Sequence, residues 1–274
     1  MKLTQKLNQV RKENRAMLAA NFYNLETCRG ILQAAGELNQ PIILQLTPAS
    51  IKYMGLKTAV NIARTVSLEE KAKVWIHLDH CNDLKLVKSC LDEGFDSVMI
   101  DASDKAIVEN ITITKQVAEM ASKYDVNVEA ELGYVPVPNS EIDNDKFTEP
   151  ADAKRFVDET GVSSLAVAIG TKHGFYKGEP KLDISRLKEI REATDAYLVL
   201  HGGSGLPGEL LKEAIKSGIT KVNVATETKD IFMKTLKEKL KDSDEIDLRK
   251  VFPSATNEVK KLIEQKLKIV TMIN

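Results

Sequence analysis

Eight times along the 274 residues, a short apolar and often β-branched run is followed by a polar turn and then by a segment of helical periodicity. The runs predict strands at Met17–Asn21, Ile42–Thr47, Val74–Asp79, Ser97–Asp101, Asn127–Leu132, Ser164–Gly170, Tyr197–His201 and Ile219–Ala225. The helices between and after them are expected near Leu25–Leu38, Leu56–Val66, Leu84–Glu93, Ala106–Lys123, Ala151–Thr160, Ile184–Ala193, Gly208–Ser217 and Thr226–Leu240. Strands that alternate with helices lie parallel with right-handed crossovers. Eight of them in about 250 residues fit a closed barrel better than an open, doubly wound sheet. No shift in composition marks a linker, so residues 1–274 read as a single α/β domain: a (β/α)8 TIM barrel with an extra N-terminal helix and a C-terminal helical tail. That tail, from about Lys241 to Asn274, mixes acids and bases at helical spacing and is read as a solvated face rather than a binding surface.

In such barrels the active site collects at the carboxyl-terminal mouth. Here nearly every strand end is polar, supplying in order Asn21, Thr47, Asp79 with His80, Asp101, Glu131, His173, His201 and Asn223. Singly, each is more often a structural hydrogen-bonding group. Jointly, three imidazoles delivered from three strands, with a fourth position left open, are what a catalytic zinc needs. Asp101 and Glu131 are read as carboxylates that orient these histidines or as ligands of a second cation, with a purely structural pair as the alternative.

Glycine-rich turns supply the other half of a small-molecule site. HGGSG at His201–Gly205 lies between a strand and a helix, where bare backbone and helix N–H groups can meet a phosphate. NVAT at Asn223–Thr226 follows the next strand, and loops after strands seven and eight are the usual phosphate position in these barrels. GTKHG at Gly170–Gly174 lets a third stretch of backbone approach, which points to a phosphate ester.

The formal net charge of −1 provides no general attraction to nucleic acid or anionic lipid, so neither is expected as a partner. The amphipathic, charged start lacks the apolar core of a signal peptide, no later run approaches the ~20 apolar residues of a membrane span, and a cytoplasmic location is expected. Cys28, Cys81 and Cys90 lack paired metal-finger spacing and read as free thiols, Cys81 as a partly buried one rather than an extra ligand.

Six blocks then align with one family: HLDHC (His77–Cys81), SVMIDAS (Ser97–Ser103), VEAELG (Val128–Gly133), IGTKHGFYKGEPKLD (Ile169–Asp183), LVLHGGSGLP (Leu198–Pro207) and KVNVATE (Lys221–Glu227). In this order, from about Asn21 to about Arg249, they resemble the class II, zinc-dependent ketose-bisphosphate aldolases. The resemblance implies one catalytic Zn2+ on His80, His173 and His201, with Asp79 as the proton donor. It implies dihydroxyacetone-phosphate contacts from Gly174, Gly202, Gly203, Ser204, Asn223, Val224, Ala225 and Thr226, with Asn21 and Thr47 also assigned to the substrate. Asp101 and Glu131 match positions that hold a second metal in some members, and a monovalent cation (Na+ or K+) and a homodimer or homotetramer are further implied. In DLRK, Arg249 is assigned to the distal phosphate, with a surface salt bridge as its rival role.

Fructose-specific relatives often carry an acid or Asn at the third position of NVAT, whereas tagatose-specific ones commonly have Ala. Ala225 therefore tilts the expected substrate to tagatose 1,6-bisphosphate, ahead of fructose bisphosphate or another ketose phosphate. One block departs from the family pattern. After ELG, a mobile loop with paired glycines followed by Glu and Asp is replaced by YVPVPNSEIDNDKFTEP, where Pro136 and Pro138 add stiffness and Glu141 and Asp143 compete for the role of the base at carbon 3. Three other chemistries compete with the metal aldolase. A Schiff-base aldolase would need Lys221, which falls in the amino-terminal half of its strand, and a metal-dependent hydrolase would use the same three histidines. The third is a barrel that binds a sugar phosphate without turnover, supported only by the altered loop.

Overall fold

The computed structural model of the chain describes residues 1–136 and 146–273. Eight parallel strands close into a barrel in sequence order: β1 Met17–Asn21, β2 Ile42–Leu46, β3 Val74–Cys81, β4 Ser97–Ile100, β5 Asn127–Leu132, β6 Ser164–Val167, β7 Tyr197–Leu200 and β8 Ile219–Val224. β1 pairs with β8 through Met17–Lys221 and Ala19–Asn223, which completes the ring and leaves no sheet edge. Around it lie the helices that follow the strands, α2 Leu25–Glu37, α4 Leu56–Glu69, α5 Leu84–Asp92, α6 Ile107–Ala121, α7 Pro150–Thr160, α8 Ile184–Ala193, α9 Gly208–Lys216 and α10 Thr226–Leu240. Three further helices are α1 Leu3–Lys12, α3 Pro48–Met54 and α11 Leu248–Thr271. No helix among the described residues is long and apolar enough to cross a membrane.

Residues two apart on a strand face the same way, so the barrel interior can be read in layers. Met17, Ala19, Ile43 and Trp75 form an apolar floor, and Leu3, Leu7 and Val10 of α1 pack up against it as a plug. Above this floor the interior turns polar with Gln45, His77, Ser97, Glu129 and Lys221, all at most 1% exposed. One step higher again, Asn21, Asp79, Glu131 and Asn223 reach the carboxyl-terminal mouth, still buried. Outward-facing residues such as Leu18, Leu44, Ile76, Val98 and Ala130 join the helices in the main apolar cluster.

Most element bounds match the sequence reading within two residues, and the larger differences have local causes. Thr47 ends no strand: it caps α3, its Oγ1 accepting the Ser50 N–H, with Pro48 at the first helical position. β6 stops at Val167 rather than Gly170, so His173 sits in a loop and not at a strand end. The tail also differs from its reading as a solvated face. Over α11, Val251, Ala255, Val259, Ile263, Leu267 and Val270 recur every three or four residues and are fully or nearly fully buried. Gly30 of α2 lets the two helices meet closely, since a Cβ there would come within 2.6 Å of the Thr256 carbonyl oxygen.

Ile263→Ala is expected to lower unfolding free energy by about 2–5 kcal/mol, as for other large-to-small core changes, whereas Lys261→Ala on the exposed side of the same helix stays within about 0.5 kcal/mol. Denaturant unfolding of both variants checks this; equal effects would mean that α11 is not part of the core.

Candidate active site

The mouth is organised by an irregularity in β3. Leu78 pairs with Val98 and Cys81 with Ile100, so three steps on β3 span two on β4, and one residue is extra. His80 absorbs it at φ +48, a left-handed conformation that costs a non-glycine residue about 1–2 kcal/mol. Strict alternation would send Asp79 and His80 to opposite faces of the strand; with the bulge, both line the same cavity.

His173 is held in its loop by bonds outside the strands. Its N–H donates to the Pro136 carbonyl at 2.8 Å, and the neighbouring Lys172 N–H donates to Tyr176 Oη, which itself donates to the Gly202 carbonyl at 2.9 Å. Gly202 has φ +71, and a Cβ there would run into the Lys172 carbonyl, so only glycine lets these loops meet.

The rings of His80, His173 and His201 lie with centroids 4.9, 4.6 and 6.1 Å apart, and their potential ligand atoms are all within 4.8 Å of one another. His80 Nδ1 is bonded to Asp101 Oδ2 at 2.7 Å, and His201 Nε2 to Glu129 Oε1 at 3.1 Å. The remaining nitrogens, His80 Nε2 and His201 Nδ1, are buried without a hydrogen-bond partner, and so is Glu131 Oε2. Glu131 Oε2 lies only 2.9 Å from His201 Nδ1, but without hydrogen-bond geometry. Orphaned lone pairs facing one small space fit a divalent cation. His80, Asp101 and Glu131 form a second, overlapping group of candidate ligands.

The electrostatics agree with that use. Burial, with His80 and His201 nearby, pushes His173 down to about 3, so it presents a neutral ring. Burial also opposes charge on His201, but the Glu129 and Glu131 carboxylates outweigh it and lift the imidazole to about 10. A positive charge is thus favoured at this point, and a metal ion can supply it in place of a proton. Burial works against ionising Asp101 as well, yet the hydrogen bond and charge of His80 hold its carboxyl well below the usual range.

Asp79 stands beside these rings, 4% exposed, with both carboxylate oxygens engaged: Asn21 Nδ2 donates to Oδ2 at 2.9 Å and Asn223 Nδ2 to Oδ1 at 3.3 Å. Burial raises its pKa, but His80, His201 and His77 lower it by more, leaving an ionised carboxylate held by two amides.

The cavity over Asp79, His80 and His173 measures about 420 Å³ and includes Asn21, Thr47, Gly174, Gly202, Ser204, Asn223, Ala225 and Thr226 in its lining. Ser204 Oγ accepts the Ala225 and Glu227 N–H groups at the start of α10. Gly203 and Val224 do not line the cavity: the Gly203 N–H is spent on the Asn223 carbonyl, and the Val224 side chain is in the helix-facing core. Arg249 also lies elsewhere. Its side chain is 90% exposed and paired with Asp247, in a groove between α2 and α11. Glu141, Asp143 and Pro138 fall outside the described residues.

Sequence reasoning missed Glu129, His77, Tyr23 and Lys229. Glu129 and His77 were legible in principle, because VEAE and HLD place them two residues before Glu131 and Asp79 on the same inward face. Lys229 is one helical turn past Thr226, and its ammonium sits 5.4 Å from the Tyr23 ring centroid; it is the one Lys or Arg among the described residues lining the cavity. Lys221 is 1% exposed below the mouth, its ammonium bonded to both Glu129 oxygens and to His77, which leaves no free amine for a Schiff base. Cys81 is fully buried, and its thiol donates to the Asp83 carbonyl.

A family model described as fructose-bisphosphate aldolase class-II matches residues 1–274. The chain belongs to the class II fructose-bisphosphate aldolase family. It is 38% identical over 272 residues to a fructose-bisphosphate aldolase of Geobacillus stearothermophilus, covering 97% of this chain and 95% of that one. Among solved structures it resembles the YdjI aldolase of Escherichia coli K12, with TM-score 0.86 and 28% identity over 98% of this chain and 96% of that one. It also resembles a putative fructose-1,6-bisphosphate aldolase of Coccidioides immitis, with TM-score 0.88 and 27% identity over the same shares. The family member is thus a lyase of carbohydrate metabolism with a sugar phosphate as substrate, in a family that is generally zinc-dependent.

Adding Zn2+ to metal-stripped protein is expected to raise its unfolding free energy by about 2.7 kcal/mol at a hundredfold excess over Kd, seen as a higher Tm, and His201→Ala should abolish that rise. An unchanged Tm for the unaltered protein would contradict a metal site here.

Proposed function

We propose that this aldolase cleaves a ketose 1,6-bisphosphate, with tagatose 1,6-bisphosphate preferred, to dihydroxyacetone phosphate and glyceraldehyde 3-phosphate in a zinc-dependent reaction. The observation that carries the reading is the ionised Asp79, held by Asn21 and Asn223 beside three imidazoles whose potential ligand atoms lie within 4.8 Å of one another. His80, His173 and His201 would hold the zinc, with Asp101 and Glu131 able to hold a second ion. When bound, the ion supplies the Lewis acidity that offsets negative charge developing on the dihydroxyacetone-phosphate half.

The residues of the chain do the rest. In the cleavage direction, the Asp79 carboxylate takes the proton from the oxygen of carbon 4 as the aldehyde forms; in condensation it returns that proton. Against its burial, the neighbouring imidazoles keep it ionised, and its two amide donors fix its direction. Gly174, Gly202, Ser204 and the Asn223–Thr226 turn border the end of the cavity assigned to the dihydroxyacetone-phosphate phosphate, where the first N–H groups of α10 have no partner within the helix. Holding that remote group aligns the reacting carbons beneath it. Gly203, whose N–H is bonded to the Asn223 carbonyl, would shape this turn rather than donate to the phosphate, Val224 would act there through its backbone, and Glu141 or Asp143 is assigned the proton at carbon 3. A monovalent cation near the phosphate, a homodimer or homotetramer, and a cytoplasmic location belong to the same reading, as does a distal phosphate reached by Arg249.

The tagatose preference rests on Ala225, which lines the cavity and offers no hydrogen-bonding side chain to read the carbon 4 hydroxyl. The Geobacillus relative's name favours fructose 1,6-bisphosphate as the second reading.

Assayed on both bisphosphates, the protein should release two carbonyl products and no inorganic phosphate, and chelation should abolish cleavage. Asp79→Ala is expected to lower kcat by about 10²- to 10⁴-fold; undiminished cleavage would reject its role. Ala225→Asp should shift relative kcat/KM toward the fructose epimer, and an unchanged ratio would remove Ala225 as the discriminator.

A further inference from the structure

Below the three imidazoles lies an ion pair that the cleavage chemistry does not use. Lys221 Nζ contacts Glu129 Oε2 at 2.7 Å, Glu129 Oε1 at 3.0 Å and His77 Nε2 at 3.2 Å, and none of these side chains is more than 1% exposed. Three ammonium protons meet three acceptors. Because an ammonium can only donate, His77 Nε2 must carry a lone pair, and its Nδ1–H then donates to Ser97 Oγ at 2.8 Å. Ser97 Oγ also accepts from Asn127 Nδ2, and Asn127 Oδ1 accepts from Ser164 Oγ, both at 2.9 Å. Each group in this buried network therefore has an assigned hydrogen-bond direction.

The same logic extends upward to the metal site. Glu129, with both oxygens on Lys221, is a carboxylate and can only accept, and its Oε1 is 3.1 Å from His201 Nε2. We propose that the Lys221–Glu129 pair acts as a positioning device for the metal ligand His201: it keeps the proton of the neutral ring on Nε2 and so leaves Nδ1 as the donor nitrogen. Resting on the reading of this mouth as a zinc site, the inference adds that zinc affinity is set in part from the barrel's middle layer, by residues that never touch the ion.

A glutamine at position 129 makes the consequence specific. Its carbonyl oxygen must turn to the Lys221 ammonium, because an NH2 group cannot face three donors, and the NH2 is then aimed at His201 Nε2. That bond requires a lone pair on Nε2 and drives the ring proton to Nδ1, where the ion would bind. Replacing Lys221 as well removes the demand on the oxygen and lets the amide turn back.

The test is Zn2+ affinity, measured by competition with a chromophoric chelator, for the unaltered protein, Glu129→Gln and the double variant Glu129→Gln/Lys221→Met. Glu129→Gln should bind Zn2+ about 10- to 100-fold more weakly, and the double variant should recover most of that loss. Damage to packing alone would leave the double variant at least as weak as the single one. In parallel, 15N-histidine spectra of the unaltered zinc-loaded protein, which has only four histidines, should show His201 protonated on Nε2. That measurement decides the matter even if a variant fails to fold. Equal affinity of the unaltered protein and Glu129→Gln, a double variant no better than the single, or a His201 proton on Nδ1 would each overturn the proposal, whereas absence of any Zn2+ binding by the unaltered protein would instead remove the zinc reading itself.

Discussion

Pairing β1 with β8 forces the carboxyl ends of eight parallel strands to one mouth, and the chemistry of this chain depends on that closure. Residues as distant in sequence as Asn21, Asp79 and Asn223 become hydrogen-bonded neighbours because their strands end on a common ring. A period of two along each strand does the sorting by depth: Trp75, His77 and Asp79 climb from apolar floor through polar middle to mouth within one strand. Lys221 and Asn223 of β8, with Glu129 and Glu131 of β5, climb through the middle and upper layers in the same way.

Placing charge inside a barrel is costly, and the layered arrangement shows how the cost is met. An isolated ion at this depth would lose several kcal/mol of hydration, and no buried charge at the centre stands alone. Lys221 is matched by Glu129, Asp101 by His80, and Asp79 by two amides with imidazoles nearby. Among the buried atoms left without hydrogen bonds are His80 Nε2, His201 Nδ1 and Glu131 Oε2, on residues of the two overlapping groups of candidate ligands. Atoms so poorly satisfied within the chain would be relieved by a cation held between them, which is the physical basis for the proposed metal site. The left-handed His80 is a second local cost at the same place, and it is what brings Asp79 and His80 to one side of the strand.

Much of this was legible in the sequence because the signals are local. Each strand is a short apolar run bounded by turn residues, and the polar residue closing it marks the mouth. Three features depend on contacts that no window of sequence contains. His173 sits in a loop whose shape is set by Pro136, Tyr176 and Gly202, and the β3 bulge appears only in the pairing of Leu78 and Cys81 with β4. The acids and bases of the tail mask an apolar stripe through Val259, Ile263 and Val270 that packs on α2. For Arg249 it is the rival reading, a surface salt bridge, that the structure shows: it pairs with Asp247, and the helix that carries DLRK faces the α2 groove and not the mouth. Glu129 was passed over because its partner, Lys221, is ninety-two residues away.

The most direct measurement is X-ray absorption at the zinc edge on protein loaded with one equivalent of Zn2+. Three imidazole nitrogens at about 2.0–2.1 Å, with one of them lost in each of the His80, His173 and His201 alanine variants, is the expected result. A first shell built mainly of sulfur, or one unaltered by removing any of these histidines, would contradict a shared ion at the barrel mouth.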